Sequence, residues 1–318
     1  MFDVIACGEL LIDFVPTVSG VSLAEAPAFQ KAPGGAPANV AVGVQRLGRT
    51  AGFMGQVGDD EFGHFLADVL ASNGVDVAGL RFSAAARTAL AFVSLRADGE
   101  REFMFYRHPS ADMLWRPEDV DTAYAAATRI FHFGSITLIG EPSRSATLAA
   151  VEAARAGGAL ISYDPNLRLP LWPSADAARA GMLHGWQYAQ LVKVSEEELR
   201  FLSGEEDLLA GAHALWTPRL RLLVVTLGPA GCAYVTPRHY GQVAGFQAQP
   251  VDTTGAGDGF VAGLLTGLLD ANFPWDDVPA LEQAVRLGNA VGALATMQRG
   301  AIPALPTRAA AEAFMAAG

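Results

Sequence analysis

Short apolar runs alternate with segments of helical periodicity through most of the chain. The apolar runs predict buried strands at Phe2–Cys7, 51–57, 129–134, 159–163, 190–194 and 221–227. Helical spacing of apolar residues predicts helices at 37–47, 60–72, 142–156, 174–188, 196–203 and 206–216, followed by two successive helices near 257–270 and 277–297. This alternation predicts an α/β fold of three layers, a doubly wound, mostly parallel sheet with helices on both faces. Such sheets bind ligands at the carboxyl ends of their strands.

Two segments depart from this pattern and predict a small β-sheet lid. Residues 88–106 read as two alternating strands around Asp98-Gly99, a dipeptide typical of hairpin turns. A second non-helical stretch precedes the first helix. We therefore predict an α/β body formed by 1–11, 32–86 and 112–318, with a lid formed by 12–31 and 87–111.

Composition narrows the class of protein. The chain has 318 residues, of which 51% are hydrophobic and 17% charged, and its net charge is −11. That balance, with no basic run, excludes general nucleic-acid binding, and no apolar stretch is long enough to span a membrane. The N-terminus lacks the basic region of a secretory signal, so we expect a cytoplasmic protein. Cys7 and Cys232 lie in predicted strands and offer no disulfide framework.

Several chemistries are excluded by their missing motifs. The two lysines, Lys31 and Lys193, do not follow glycine, so the standard phosphate-binding P-loop is absent. The HRD and DFG motifs of protein kinases, the serine nucleophile elbow and HExxH are also absent. If the protein handles phosphate, it must do so with glycine-rich backbone and arginine.

The first candidate site is the sequence VDTTGAGDGFVAG, at 251–263. Gly255, Ala256 and Gly257 precede an apolar helix, and backbone amides at a helix N-terminus attract an anion. Asp258 would lie in the first turn, where a carboxylate can take the proton of an attacking alcohol. The alternative is that Asp258 only caps the helix and the glycines only make a tight turn.

A second candidate site combines the segment 34–48 with the end of the first strand. Gly34 and Gly35 open a closely packed helix, in which Asn39 is a polar residue among Ala and Val. Asn39 either bonds backbone in a turn or offers a donor and an acceptor to a sugar hydroxyl. Asp13 follows an apolar run and either accepts two hydroxyls of a polyol or serves as a turn residue.

Three further signals are weaker. Ser195–Glu198 fits a capping box, although Glu198 could also order a hydrated Mg²⁺. Thr226, Gly228 and Gly231 predict a turn after a strand, where nucleotide could lie. Guanidinium groups hold phosphate or hydroxyl arrays, which makes candidates of Arg107 and Arg168.

Together these motifs resemble the ribokinase-like (PfkB) family of carbohydrate kinases. The family's N-terminal signature is similar to GGAPANVAVGVQRLG (34–48), and its C-terminal signature to DTTGAGDGFVAGLL (252–265). The resemblance extends to GELLIDF, GQVGDDEFG and VKVSEEEL, so it covers nearly the whole chain. Within the family, the fructokinase branch is most similar, through REFMFYRHPSADMLW (101–115) and SYDPNLRLPLW (162–172).

The resemblance implies ATP, Mg²⁺ and a sugar as ligands. Asp258 would be the catalytic base, and the anion hole would be formed by Gly255, Ala256 and Gly257. Sugar contacts are implied for Asp13, Gly34, Gly35, Asn39, Arg107 and Arg168. ATP would lie along Lys193, Ser195, Thr226, Gly228, Gly231 and Asn289. Mg²⁺ would be held through water by Glu198, and K⁺ by Asp252 and Thr254 with carbonyls near Ala295, Gln298 and Gly300.

Two positions depart from the family pattern. Ser195 replaces the asparagine of the NxxE motif, and Ala304 stands where some members supply a serine hydroxyl to the cation. The expected activity is phosphorylation of D-fructose to D-fructose 6-phosphate. The alternatives are 2-keto-3-deoxygluconate kinase, another sugar or nucleoside kinase of the family, and a non-catalytic sugar-binding regulator. A homodimer through apolar lid strands, with Phe92, Phe103 and Phe105 as candidates, is a further hypothesis.

Overall fold

The computed structural model describes residues 1–18, 20–95 and 101–317. Its strands are β1 (Phe2–Cys7), β2 (Leu11–Pro16), β3 (Phe29–Gly34), β4 (Ala51–Gly58), β5 (Asp76–Ser83), β6 (Leu90–Leu95), β7 (Arg101–Tyr106), β8 (Thr128–Gly134), β9 (Leu160–Asp164), β10 (Leu191–Ser195), β11 (Leu222–Thr226), β12 (Gly231–Val235) and β13 (Tyr240–Ala244). Its helices are α1 (Ala36–Arg46), α2 (Glu61–Ser72), α3 (Thr122–Ala126), α4 (Ser143–Ala156), α5 (Ala175–Trp186), α6 (Glu196–Ser203), α7 (Leu208–Ala214), α8 (Ala256–Asp270), α9 (Val278–Ala295), α10 (Ala301–Ala304) and α11 (Arg308–Ala317).

A nine-stranded sheet forms the centre of the molecule, in the order β13-β12-β11-β10-β9-β8-β1-β4-β5. The strands from β11 to β5 run parallel, whereas β12 and β13 are antiparallel additions at one edge. Asp164, Ser195 and Thr226 are the last residues of β9, β10 and β11. They therefore lie at one edge of the sheet, where ligands of such folds bind.

Hydrophobic cores cover both faces of this sheet, which confirms the predicted three layers. In β1, Val4 and Ala6 point into one core, with apolar residues of α1, α8 and α9. Ile5 and Cys7 point into the other core, with α4 and α5. Successive side chains alternate between the faces of a strand, so a strand covered on both sides is apolar at every position. This is why the six predicted strands were visible as apolar runs.

A separate four-stranded sheet has the order β3-β2-β6-β7. The β2–β3 and β6–β7 pairs are antiparallel, and β2–β6 is parallel. Phe92 stacks on Phe14 at 4.9 Å between ring centroids, while Phe105 packs near Leu11. This is the small sheet that the sequence predicts, although β3 continues to Gly34, past the predicted lid end at 31. The predicted turn at Asp98-Gly99 and the side chain of Phe103 lie outside the described residues.

Two strands of the large sheet, β5 and β13, were absent from the sequence-based prediction, and they are its two edge strands. In β13 only alternate residues are partly covered, and β5 is exposed over half its length. Strands at the edges of a sheet contain polar residues, which removes the continuous apolar signal. Within the described parts of the chain, no helix is long and apolar enough to cross a membrane.

Candidate active site

The N-terminus of α8 positions Asp258 beside a glycine turn. Gly255 precedes the helix with φ +78°, a left-handed conformation that favours glycine, and a Cβ there would lie 2.7 Å from that of Ala301. The helix start has no side-chain cap, so the interpretation of Asp258 as a cap is wrong. The Ala256 amide donates to the Thr253 carbonyl at 3.2 Å. This hydrogen bond closes the turn. The Ala256 amide is therefore occupied, which corrects the expectation that the amides of Gly255, Ala256 and Gly257 all face an anion.

Asp258 is buried and accepts a hydrogen bond from Asn39. Its Oδ2 lies 2.7 Å from Asn39 Nδ2. Burial raises the pKa of Asp258 to about 6, while the Asn39 bond opposes the rise. The charge of Asp164 raises this pKa further, whereas Lys193 and Arg168 lower it. The carboxyl group is therefore ionised at neutral pH and has a higher proton affinity than an exposed aspartate.

Asn39 is a buried polar residue at the start of α1, bonded to the start of α8. Its Oδ1 atom is buried and has no hydrogen-bond partner. Since Nδ2 donates to Asp258, the side chain does not serve a backbone turn. A buried carbonyl oxygen without a donor is costly, and it offers an acceptor for a ligand hydroxyl.

Asp13 and the Gly34-Gly35 pair form an adjoining wall. A Cβ at Gly34 would lie 2.2 Å from Asp13 Oδ2, so only glycine leaves room for that carboxylate. Gly35 has φ +114°, and its Cβ would meet the Glu9 carbonyl oxygen at 2.4 Å. Burial raises the pKa of Asp13 to about 7; the charge of Arg168 lowers it and that of Asp258 raises it.

The two candidate arginines have different surroundings. Arg107 is buried and bonds the carboxylate of Asp112, which also accepts from Ser110. The Nε atom of Arg107 is buried without a partner. Arg168 donates to the Leu167 carbonyl at 3.0 Å, and its charge lowers the pKa of Asp13 and Asp258, as described above. Arg168 is therefore close to both carboxylates.

A cleft of about 290 Å³ lies at the ends of β9 and β10. Lys193 lines it, and its Nζ donates to Asp164 Oδ2 at 3.1 Å; both groups are buried. Burial alone would lower the pKa of Lys193, but the charges of Asp164 and Glu198 outweigh burial and raise it. A Cβ at Gly257 would lie 3.1 Å from Lys193 Nζ. The lysine thus connects this cleft to the α8 turn.

Glu198 lies in the wall of the same cleft. The predicted capping box is confirmed: Glu198 N donates to Ser195 Oγ at 3.1 Å, and Ser195 N donates to Glu198 Oε2 at 2.8 Å. Its Oε1 also accepts from the Leu167 amide at 2.7 Å. Glu198 therefore fastens the loop after β9 to the start of α6. Among the described residues, no three His, Cys, Asp or Glu side chains cluster as metal ligands.

The turn after β11 divides into an open part and a packed part. A Cβ at Gly228 would meet nothing within 4 Å, so this position is open. Gly231 has φ +102°, and a Cβ there would lie 2.2 Å from the Val243 carbonyl oxygen. Asn289 donates to the carbonyls of Val243 and Ala244 at 3.1 and 3.2 Å. Packing against β13 accounts for Gly231 and Asn289 without any ligand.

The segments 252–254 and 295–300 lie side by side. Asp252 Oδ1 accepts from the amide and hydroxyl of Thr254 at 2.9 and 2.7 Å, and Asp252 Oδ2 accepts from the Gly300 amide at 3.0 Å. Of the predicted K⁺ ligands, Asp252, Thr254 and Gly300 are thereby brought together around one carboxylate, next to the α8 turn.

Sequence reasoning missed Asp164, Glu9 and Asp112. Asp164 is the carboxylate that pairs with Lys193, and its position at the end of a predicted strand was the available signal. Glu9 accepts from the Ala36 amide at 3.0 Å, and burial raises its pKa to about 7. Asp112 carried no local signal, because its role depends on the buried Arg107.

Residues 1–308 match the family model of the pfkB family carbohydrate kinases. The chain belongs to this family. It is 54% identical over 316 residues to fructokinase-2 of Solanum lycopersicum, covering 99% of this chain and 96% of the relative. The predicted family and enzyme class are confirmed: this kinase is a sugar kinase that binds nucleotide.

Solved structures of related kinases agree with the fold. A Xylella fastidiosa fructokinase with bound ATP has a TM-score of 0.91 and 36% identity, covering 99% of this chain and 98% of that one. A double mutant of the Vibrio cholerae fructokinase, bound to fructose, ADP and a potassium ion, has a TM-score of 0.89 and 38% identity, with the same coverage. The predicted ribokinase-like fold is therefore confirmed.

Proposed function

We propose that this kinase transfers the γ-phosphoryl group of ATP to D-fructose and forms D-fructose 6-phosphate. The observation that carries the proposal is the buried Asp258 at the start of α8, held by Asn39 and next to Gly255 and Gly257. The relatives named above are fructokinases, and they support the choice of sugar.

Asp258 acts as the general base in this proposal. It takes the proton of the sugar's primary hydroxyl while the oxygen attacks the γ-phosphorus. A pKa of about 6 leaves the carboxylate ionised at neutral pH and ready to accept a proton. The amides of Gly255 and Gly257, aided by the α8 dipole, stabilise the charge on the transferred group.

The sugar is held by Asp13, Asn39, Arg107 and Arg168, over the Gly34-Gly35 wall. Asn39 Oδ1 and Arg107 Nε are both buried without partners. Asn39 Oδ1 accepts a hydrogen bond and Arg107 Nε donates one, and a hydroxyl group can partner either atom. We assign both atoms to hydroxyl groups of the sugar.

Lys193 and the open Gly228 turn face the nucleotide phosphates in this account. Mg²⁺ prefers carboxylate and water ligands together with substrate phosphates, and Glu198 is the buried one of the two carboxylates that line the cleft. A bound Mg²⁺ would neutralise charge on the phosphates, and Glu198 would hold its water shell. The contacts of Asp252 fit K⁺ beside the α8 turn, where Asp252 holds the turn in shape. Ser195, Thr226, Gly231 and Asn289 remain predicted nucleotide contacts.

A second candidate, 2-keto-3-deoxygluconate kinase, requires cationic groups for an acidic sugar. Arg107 is already paired with Asp112, and Arg168 lies near the carboxylates of Asp13 and Asp258. The acidic groups around the sugar site thus balance its cations, which favours a neutral sugar. A non-catalytic regulator is disfavoured because Asp258, the glycine turn and Glu198 are all intact.

The test is ADP release with ATP-Mg²⁺ against fructose, ribose, 2-keto-3-deoxygluconate, glucose and an aminoimidazole riboside. We expect strong, selective turnover of fructose, and phosphorus–carbon coupling in the NMR spectrum should place the phosphate on C6. Preference for another sugar would overturn the substrate. Sugar binding without ADP release from any substrate would overturn the kinase mechanism. The homodimer through the lid stays a hypothesis, to be tested by the mass in solution.

A further inference from the structure

A second concave site lies at the opposite end of the large sheet. This groove has a volume of about 490 Å³, larger than the cleft at the carboxyl ends of the strands. Gln190 and Arg221, which line it, immediately precede β10 and β11. From Arg221 to Thr226 the chain rises about 16 Å at 3.3 Å per strand residue. The groove is therefore separate from the proposed active site.

Four arginines from three different parts of the fold line this groove. Arg155 comes from the end of α4, Arg219 and Arg221 from the approach to β11, and Arg238 from the turn between β12 and β13. The chain has a net charge of −11, so a concentration of cations is unusual for this surface. Convergence of distant segments on one groove distinguishes it from a solvated run of charge.

Only part of this positive charge is neutralised. Arg155 pairs with Glu152, and Arg238 pairs with Asp276 at 3.0 Å. Among the residues that the structure describes, no carboxylate pairs with Arg219 or Arg221. Both side chains are exposed at the groove. Four guanidinium groups against two carboxylates leave an excess of two positive charges.

Trp275 adds a flat apolar wall beside the guanidinium groups. It is half-buried, and its ring stacks near that of Phe273 with centroids 5.8 Å apart. Guanidinium groups bind phosphate oxygens in a bidentate fork, and an indole face accepts a planar ring or a sugar face. Pockets that combine a few convergent polar groups with an apolar wall are typical of small-molecule sites.

We propose that this groove binds a phosphate-bearing small molecule, with Arg219 and Arg221 as the principal phosphate ligands and Trp275 as the wall against the rest of the ligand. The site is distinct from the proposed transfer site and does not depend on the choice of sugar. Inorganic phosphate, sugar phosphates and nucleotides share this chemistry.

The test titrates the full chain with pyrophosphate, by calorimetry and by tryptophan fluorescence. The catalytic cleft is first filled with fructose and a non-hydrolysable ATP analogue, and the salt concentration is held at about 0.15 M. We expect saturable binding that weakens about tenfold or more in the double variant Arg219→Gln/Arg221→Gln. Separate titrations with inorganic phosphate, fructose 1,6-bisphosphate and adenosine 5′-monophosphate identify which source binds best.

The matched control is Arg81→Gln/Arg116→Gln, which removes the same charge from two exposed arginines outside the groove. We expect wild-type affinity in this control. A Trp275→Phe variant should keep the calorimetric binding and lose most of the fluorescence change. Equal affinity in both double variants, a fluorescence change that persists without Trp275, or no saturable binding of any of the four anions would overturn the proposal.

Discussion

Asn39 Nδ2 donates to Asp258 Oδ2 at 2.7 Å, although the two residues are 219 positions apart in the chain. The bond joins the first turns of α1 and α8, which pack against each other. It gives the proposed base a fixed orientation and opposes the rise in pKa that burial causes. The two family signatures therefore meet as one hydrogen-bonded pair.

Replacement of Asn39 by Ala should raise the pKa of Asp258 above its value of about 6, because the variant loses a donor that favours the ionised form. The acid limb of kcat/KM should move to higher pH, and KM for the sugar should rise. The profile of kcat/KM from pH 5 to 9 measures both. Gln187→Ala removes an exposed amide at the end of α5 and should change neither; an unmoved acid limb in Asn39→Ala would contradict the role of Asn39.

The wild-type enzyme should lose kcat/KM as the pH falls through 7 to 6. Asp13 and Asp258 have pKa values of about 7 and about 6, both raised chiefly by burial, and the proposal requires both carboxylates in the ionised form. Because the charge of Asp258 raises the pKa of Asp13, the acid limb of the profile reports the two carboxylates together rather than either residue alone. Activity that stays flat down to pH 5 would show that these groups do not titrate as described.

Variants of the Lys193–Asp164 pair can distinguish a role of Lys193 in stability from a role in ATP binding. Removing one partner of a buried ion pair costs about 3–5 kcal/mol of stability, because the other charge stays buried and unpaired. Lys193→Met or Asp164→Asn alone should therefore lower the free energy of unfolding and raise KM for ATP. Denaturant unfolding and ATP titration provide the two readings.

The double variant Lys193→Met/Asp164→Asn is the decisive comparison for this pair. It leaves no unpaired charge, so it should recover most of the stability. KM for ATP should remain high because the cation that faces the phosphates is gone. Recovery of both stability and ATP affinity would mean that Lys193 is only structural.

Glu198→Gln should raise the Mg²⁺ concentration needed for half-maximal activity. Glutamine has one acceptor oxygen, whereas Glu198 accepts from both Ser195 and Leu167 and is proposed to hold the water shell of Mg²⁺. Glu197→Gln is the matched control, since Glu197 lines the same cleft and is exposed. Equal Mg²⁺ dependence in the two variants would remove Glu198 from the metal site.

The helices and inner strands could be predicted because packing against two cores dictates their composition. Strand β1 is apolar at successive positions for this reason, whereas β13 lies at an edge and shows no such run. The glycine turn before Asp258 was also readable, since a left-handed φ at Gly255 and close packing demand small residues.

Contacts between distant segments could not be predicted from local sequence. The Lys193–Asp164 pair requires that β9 and β10 are neighbours in a register that opposes Tyr163 to Val192. The pair therefore follows from the order of strands in the sheet, which propensity and periodicity do not specify.

Turnover of the Asp258→Asn variant tests the central claim most directly. Its folding can be checked first: the ionised Asp258 is penalised in the folded state because its pKa is raised above the ordinary value. Protonated Asp258 stabilises the folded state. This contribution is fully present below the pKa of Asp258 in the unfolded chain, and it is lost as the pH rises through its folded-state pKa of about 6. At pH 8 the variant should therefore unfold at the same or a higher temperature than wild type.

The measurement is kcat for fructose with saturating ATP-Mg²⁺, together with fructose affinity by calorimetry. The account predicts that Asp258→Asn retains fructose binding and loses about 10²–10⁴-fold in kcat, the range expected for a general base. Asp59→Asn, which alters an exposed carboxylate paired with His64, should keep the wild-type rate. Near-normal kcat in Asp258→Asn would contradict the assignment of Asp258 as the base.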